Sequence, residues 1–400
     1  MRRTARWLSP VNALNARGVR KEKANPDAVF DRLVAKAEED VGYDSSRERE
    51  FIESYRYLTH LFSQVEELSY IGWRGTLDDL GRRVTNHLRV QKLHSEHPEI
   101  AREPIERPVF VVGLPRTATT LAHKIFTRSE GNRAPLMWEL MFTDHGGIDA
   151  KTRRDRIKAT QTMATMAGKT SPLWDLIHPM DAEQPEECVF ALPHNHGFCT
   201  RARLPEYRQW LAQHDFTGDY EHLKRVLQVL QWRQPRKRWI LKAPFHLFNL
   251  DVLMKVFDSA NIVWTHRDPA TVMGSWCSLV ETGTAIHNRT WDNHAIGREW
   301  LELFSEAIRS ARRVRASAPR GKFIDIGYHS LTADPHRQLP EIFRQLDMPW
   351  SATDNDNLAD VLSAPGLRRK HEYHLERYGI DHTDVDEAFA GYAALGFAGQ

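Results

Sequence analysis

A three-layer α/β fold, with a parallel sheet covered by helices on both faces, is what this sequence predicts. Three observations predict it. Beyond residue 108, short apolar runs alternate with stretches of helical spacing. The first of these runs opens into a helix through a loop of glycine, proline, threonine and one basic residue. Ahead of that loop, residues 25–107 show helical spacing alone.

Taken in order, residues 1–24 are rich in arginine without periodicity and read as a loose basic arm. A helical extension over 25–107 follows. Asn25-Pro26-Asp27 opens its first helix, with Asn25 as cap and Pro26 at the first helical position. Val29, Phe30, Leu33 and Val34 then recur at helical spacing. A second helix is expected over Arg47 to Glu67. A third is expected from about Thr76, with Leu77, Leu80, Val84 and Leu88 on one face. The stretch from His97 to Pro108 contains three prolines and reads as a connector. One α/β domain is expected over 108–400, ending in a helical and loop cap. Its strands are the run before Gly113, then Trp239–Lys242, Asn261–His266 and Lys322–Ile326, with helices over Asp251–Phe257 and from Pro269. Binding groups in such a sheet gather at the carboxyl ends of the strands.

The loop itself is Pro115-Arg116-Thr117-Ala118-Thr119-Thr120. A phosphate loop for nucleoside triphosphates reads Gly, four residues, Gly-Lys, then Ser or Thr. Counted from Gly113, Ala118 stands for the second glycine and Thr119 for the lysine; only Thr120 fits. The positive charge reappears at Arg116. Backbone N–H groups at Thr117–Thr120, facing a helix start, make an anion site. The fold expectation is therefore P-loop NTPase-like, with an altered loop.

Three further signatures follow the loop. Arg267 stands just before an Asp268-Pro269 helix start, with Ser275 eight residues later. A guanidinium and a hydroxyl so placed suit a phosphate. Tyr328 follows the Lys322–Ile326 strand. Lys242 ends a strand before Ala243-Pro244-Phe245-His246.

In this order, the residues resemble the sulfotransferases that use 3′-phosphoadenosine 5′-phosphosulfate. Pro115–Thr120 looks like that family's 5′-phosphosulfate loop, and Arg267 with Ser275 matches its 3′-phosphate pair. Pro179–Cys188 and Lys370–Gly379 resemble blocks of its bacterial branch. The resemblance implies the fold just described and a sulfotransferase domain over 108–400, with residues 171–215 bordering the acceptor. It implies transfer of a sulfuryl group to a hydroxyl or amine of an acceptor, without a metal; the near-neutral charge and the aromatic residues within 171–215 favour a small or lipophilic acceptor. Tyr328 would lie near the adenine, and Arg369 with Lys370 would close over the 3′-phosphate unless that run is merely solvated. Arg116 and Lys242 would offset charge at the reacting group. Glu139 and His246 both stand as the base, with a helix cap and a structural histidine as the plain alternatives. Ala118 departs from the family's glycine, which matters if the loop needs a positive φ there. An ATP-dependent P-loop kinase or nucleotidase stays open as a rival, as does a non-catalytic nucleotide- or lipid-binding protein of this fold.

Bulk composition narrows the partners. With 55 basic residues against 53 acidic, the net charge of +2 provides no general field for nucleic acid. No apolar run reaches the roughly 18 residues a bilayer span needs, and the basic N-terminus allows only weak peripheral attachment to a membrane. Cys188, Cys199 and Cys277 lack a disulfide rhythm and suit a reducing, cytoplasmic setting. Cys188, His194, His196 and Cys199 do not have the spacing of an ordinary zinc ribbon, and the expectation is no metal. Trp174, Phe190, Phe198, Tyr207 and Trp210 make either an acceptor wall or ordinary core.

Overall fold

The structure is a computed structural model, and it describes residues 2–145, 147–174, 178–363 and 374–393. Arg369 and Lys370 lie outside these residues.

The amino-terminal quarter is helical: α1 (Leu8–Lys23), α2 (Pro26–Val41), α3 (Arg49–Gln64) and α4 (Tyr70–Glu96). Strand β1 (Val109–Val112) leads through the anion loop into α5 (Thr119–Arg128). The short β2 (Asn132–Arg133), α6 (Met137–Met141) and the long α7 (Ala150–Thr170) follow. After the segment around 171–204 come α8 (Pro205–Gln213), α9 (Thr217–Gln231), β3 (Arg238–Lys242) and α10 (Leu250–Val256). Next are β4 (Asn261–His266), α11 (Pro269–His287), α12 (Asn293–Ser317) and β5 (Phe323–Gly327). The chain continues through α13 (Tyr328–Ala333), α14 (Pro335–Gln345), α15 (Ala352–Ser363) and α16 (His382–Ala388).

The strands form one parallel sheet in the order β2-β3-β1-β4-β5. β1 is flanked by β3 and β4, so the connections leave it toward opposite edges. The loop after β1 therefore sits at the switch point where such sheets bind ligands. All four residues of β1 are buried. Val109 and Val111 pack with Leu121, Ile125 and Phe126 on one face. Phe110 and Val112 join the opposite core, which also holds Phe30, Tyr55 and Leu80 of the amino-terminal helices. Alternation along the strand thus feeds two cores, and the helical extension shares one of them with the sheet.

Asn25 caps α2 as expected, accepting from the Ala28 N–H at 3.3 Å. Two amino-terminal readings need correction. The loose arm is a helix over most of its length, because Leu8 and Val19 are buried and tertiary bonds hold its start. Arg3 donates to the Ser278 carbonyl at 3.0 Å and to Thr282 Oγ1 at 2.9 Å, and pairs with the buried Glu281. Packing, not periodicity, makes this helix. The third helix begins at Tyr70 rather than near Thr76, with Ser69 Oγ accepting from the Gly72 N–H at 3.1 Å. Gly72 hid that start by breaking the pattern. It is needed there because a side-chain carbon would collide with the main chain of His287. Among the described residues, no helix is long and apolar enough to cross a membrane.

Candidate active site

The anion loop is held in shape from beneath. Thr117 is fully buried; its hydroxyl donates to the Leu114 carbonyl at 2.7 Å and meets Thr265 Oγ1 of β4 at 2.6 Å. Gly113, at φ +150°, has no room for a side chain, since a Cβ would stand 2.6 Å from the Thr265 carbonyl oxygen. Pro115 and Thr119 are buried, whereas Arg116 and Thr120 are exposed. Thr117 and Thr119 therefore brace the loop from within, while Arg116 and Thr120 are left at the surface. The first-turn N–H groups of α5 have no partner within the helix and face the same side.

Ala118 adopts the left-handed conformation, φ +71° and ψ +20°. Arg116 is left-handed too, at φ +69°. The loop does need positive φ at the position where alanine replaces the family's glycine. Such backbone is costly for non-glycine residues, and functional loops are where the cost is met.

Three strand ends meet at this loop. From the end of β4, Arg267 donates to the Arg116 carbonyl at 3.0 Å. Its guanidinium lies 3.8 Å above the ring of Tyr328, the first residue after β5. Asp268 caps α11 by accepting from the Thr271 N–H at 2.7 Å, which sets Arg267 just ahead of a helix N-terminus. Ser275 is buried two turns into α11. From the end of β3, Lys242 reaches Thr120 Oγ1 at 3.4 Å and pairs with Glu187 at 2.5 Å. Arg116, Thr120, Lys242, Arg267 and Tyr328 are thus gathered from four places in the chain.

The two base candidates have different surroundings. Glu139 reaches back over the start of α6: one oxygen accepts from the Leu136 N–H and the other pairs with Arg133, each at 2.9 Å. A carboxylate has about four lone-pair sites, so acceptor capacity is left over. His246 is fully buried, with Nδ1 3.0 Å from the Tyr220 hydroxyl. Burial lowers its pKa to about 3, which keeps the imidazole neutral and weakly basic.

Glu187 was missed by sequence reasoning. It lies in the quoted Pro179–Cys188 block, but nothing local marks it, because its partner is a distant strand end. Beside it, Glu186 is buried and pairs with His178 at 3.4 Å. Burial works against its charge, but His178 outweighs that and lowers the Glu186 pKa to about 2. Burial also opposes the His178 charge, and Glu186 reverses it, raising the histidine's pKa.

Among the described residues, Cys188, His194, His196 and Cys199 do not converge as ligands; His194 joins His214 and Asp219 instead. Asp219 bridges the two imidazoles, at 2.9 Å to His194 Nδ1 and 2.7 Å to His214 Nε2. Of the aromatic candidates, Phe198 and Tyr207 are buried core, and Trp210 packs on His214 with ring centroids 4.3 Å apart. Phe190 packs against Met137, Leu140 and Met141, the apolar side of the helix that carries Glu139.

The sulfotransferase family model matches residues 108–352. The omega-hydroxy-beta-dihydromenaquinone-9 sulfotransferases of Mycobacterium bovis and Mycobacterium tuberculosis are 26% identical over 255 residues, covering 60% of this chain. The chain spans 63% of the length of those curated relatives. A crystal structure of a Mycobacterium tuberculosis sulfotransferase is similar with TM-score 0.79 at 28% identity, covering 90% of this chain and 98% of that one. For a Mycobacterium avium sulfotransferase the TM-score is 0.80 at 25% identity, covering 91% and 96%. With a family match across more than half its length and a shared fold nearly end to end, the chain belongs to the sulfotransferase family.

Proposed function

We propose that this protein transfers a sulfuryl group from 3′-phosphoadenosine 5′-phosphosulfate to a hydroxyl or amine of a small, lipophilic acceptor. The observation that carries this reading is Arg267, stacked on Tyr328 and bonded to the Arg116 carbonyl. An anion loop with a second guanidinium and an aromatic ring beside it suits a nucleotide bearing anionic groups at both 5′ and 3′ positions. The loop's missing lysine argues against a triphosphate.

When bound, the donor supplies the sulfuryl group and leaves as the bisphosphate. In this reading the N–H groups of Thr117, Ala118, Thr119 and Thr120, following Pro115, hold the 5′-phosphosulfate. Arg267 and Ser275 hold the 3′-phosphate, and Tyr328 borders the adenine. Arg116 and Lys242 offset the negative charge that grows on the bridging oxygen as the sulfur–oxygen bond breaks. Two fixed cations suffice without a metal, because a sulfuryl group carries less charge than a phosphoryl group. Glu139 takes the acceptor's proton as its oxygen bonds to sulfur. His246 orients the acceptor: it is fully buried and its Nδ1 is engaged with the Tyr220 hydroxyl at 3.0 Å.

A lipophilic acceptor is supported by Phe190 on the apolar side of α6 and by the relatives, whose names specify a hydroxylated menaquinone. The three cysteines are free and buried, which supports a reducing, cytoplasmic setting. Radiolabelled donor offered with primary alcohols of increasing hydrocarbon length tests the acceptor class. Transfer should rise with length and be negligible for sugars of similar hydroxyl content. A preference for the sugars would contradict it.

A further inference from the structure

The chain's charge is unevenly spread. Residues 2–23 carry seven arginines and lysines against one acidic residue, and residues 151–169 carry six against one, in a chain of net charge +2. The remainder is therefore net acidic. The fold brings these two segments together. The Trp7 indole donates to the Lys169 carbonyl at 3.1 Å, and the Ala5 N–H donates to the Thr170 carbonyl at 2.8 Å. The start of α1 thus rests on the C-terminal end of α7.

The same two helices show unusual apolar exposure. Trp7 is 39% exposed, Leu14 86%, Met163 41% and Met166 49%; the other large exposed apolar side chains among the described residues are Tyr57 and Trp291. In α7 only Thr160 and Ala164 are buried. Helical geometry sets Leu14 two turns beyond Trp7 on one face, beside Arg17 and Lys21. On α7 it sets Met163, Met166 and Lys169 at successive three-residue steps, each beside the next. Large apolar tips rimmed by long cations are what helices lying in a lipid interface present.

We propose that α1 and α7 form a docking face for an anionic lipid bilayer. Trp7, Leu14, Met163 and Met166 enter the headgroup region, and the flanking lysines and arginines meet lipid phosphates. A second copy of this chain fits the face poorly, because it would oppose one cationic surface with another. Nucleic acid would leave the four apolar tips in water. Since α7 runs directly into Ser171, the face borders the segment assigned to the acceptor. That last link rests on the proposed function; the docking itself does not.

Vesicle flotation with the full-length protein tests this independently of any sulfate transfer. The wild type should bind phosphatidylcholine vesicles containing phosphatidylglycerol, should not bind phosphatidylcholine alone, and should release as salt rises. Replacing Trp7, Leu14, Met163 and Met166 together by serine should weaken binding at least tenfold. Arg17→Glu with Lys21→Glu, at exposed positions, should do the same without touching the apolar tips. Three outcomes overturn the proposal: no binding by the wild type, unchanged binding by both variants, or a wild-type dimer in light scattering that the serine variant converts to monomer.

Discussion

At the scale of single residues, Ala118 offers the sharpest test of how the anion loop is built. A left-handed non-glycine residue costs about 1–2 kcal/mol. Glycine would remove that strain while adding about 0.4–1 kcal/mol of unfolded-state freedom. Ala118→Gly should therefore stabilise the protein by up to about 1 kcal/mol in urea unfolding. A loss of stability would show that alanine makes contacts outweighing its strain. Glu187 provides a second test. It occupies Lys242, which the proposed mechanism directs at the donor. Glu187→Gln should tighten the product bisphosphate several-fold by removing a competing anion, whereas Lys242→Met should lower turnover. Weaker nucleotide binding in the glutamine variant would mean that Glu187 holds Lys242 in place. Arg116 and Arg267 should separate kinetically: Arg116→Ala should lower kcat most, and Arg267→Ala should raise the donor Kd most. The reverse pattern would exchange their roles. Of these residues, the positions of the loop, Arg267, Tyr328 and Lys242 at strand ends were legible in sequence, because each sits at a local strand-to-helix signal. Glu187 was not, since only the fold carries it to Lys242.

Among the elements, β4 and the start of α2 were readable to the residue because their signals are local: an apolar run with sharp ends, and an Asn-Pro cap. α1 and the start of α4 were not, because tertiary anchors made by Arg3 and the close approach at Gly72 decide them. Buried polar bridges between elements are equally silent in sequence. Asp219 of α9 holds His194 and His214, and Ser54 of α3 meets His194 Nε2 at 2.8 Å. Burial opposes the Asp219 charge, but the two histidines hold its pKa below the usual carboxylate range. Asp219→Asn should cost about 3–5 kcal/mol, as breaking a buried pair does. Because the folded pKa is depressed, the carboxylate's contribution is present above its ordinary pKa and lost as pH falls through the folded value. His178 has the opposite sign. Its raised pKa gives stability that is full below its ordinary value of about 6.5 and lost as pH rises through the folded value. Thermal melts should show the His178–Glu186 contribution fading on the alkaline side, with His178→Gln flattening that limb. An unchanged limb would count against the pair.

For the whole molecule, apolar runs with one signature at each carboxyl end were sufficient to read four of the five strands of the sheet, but not the two-residue edge strand β2. Two features needed the fold: the shared core that joins the helical extension to the sheet, and the pairing of α1 with α7. The central claim is that two anion sites, one at the loop and one at Arg267, together recognise a 3′,5′-bisphosphate. Titration calorimetry of 3′-phosphoadenosine 5′-phosphate against ADP tests it most directly. A charge-assisted phosphate contact is worth about 1.5–3 kcal/mol, so the 3′-phosphate should improve Kd at least tenfold, and Arg267→Ala should erase most of that gain. Equal affinity for the two nucleotides, or an advantage that survives Arg267→Ala intact, would contradict the assignment.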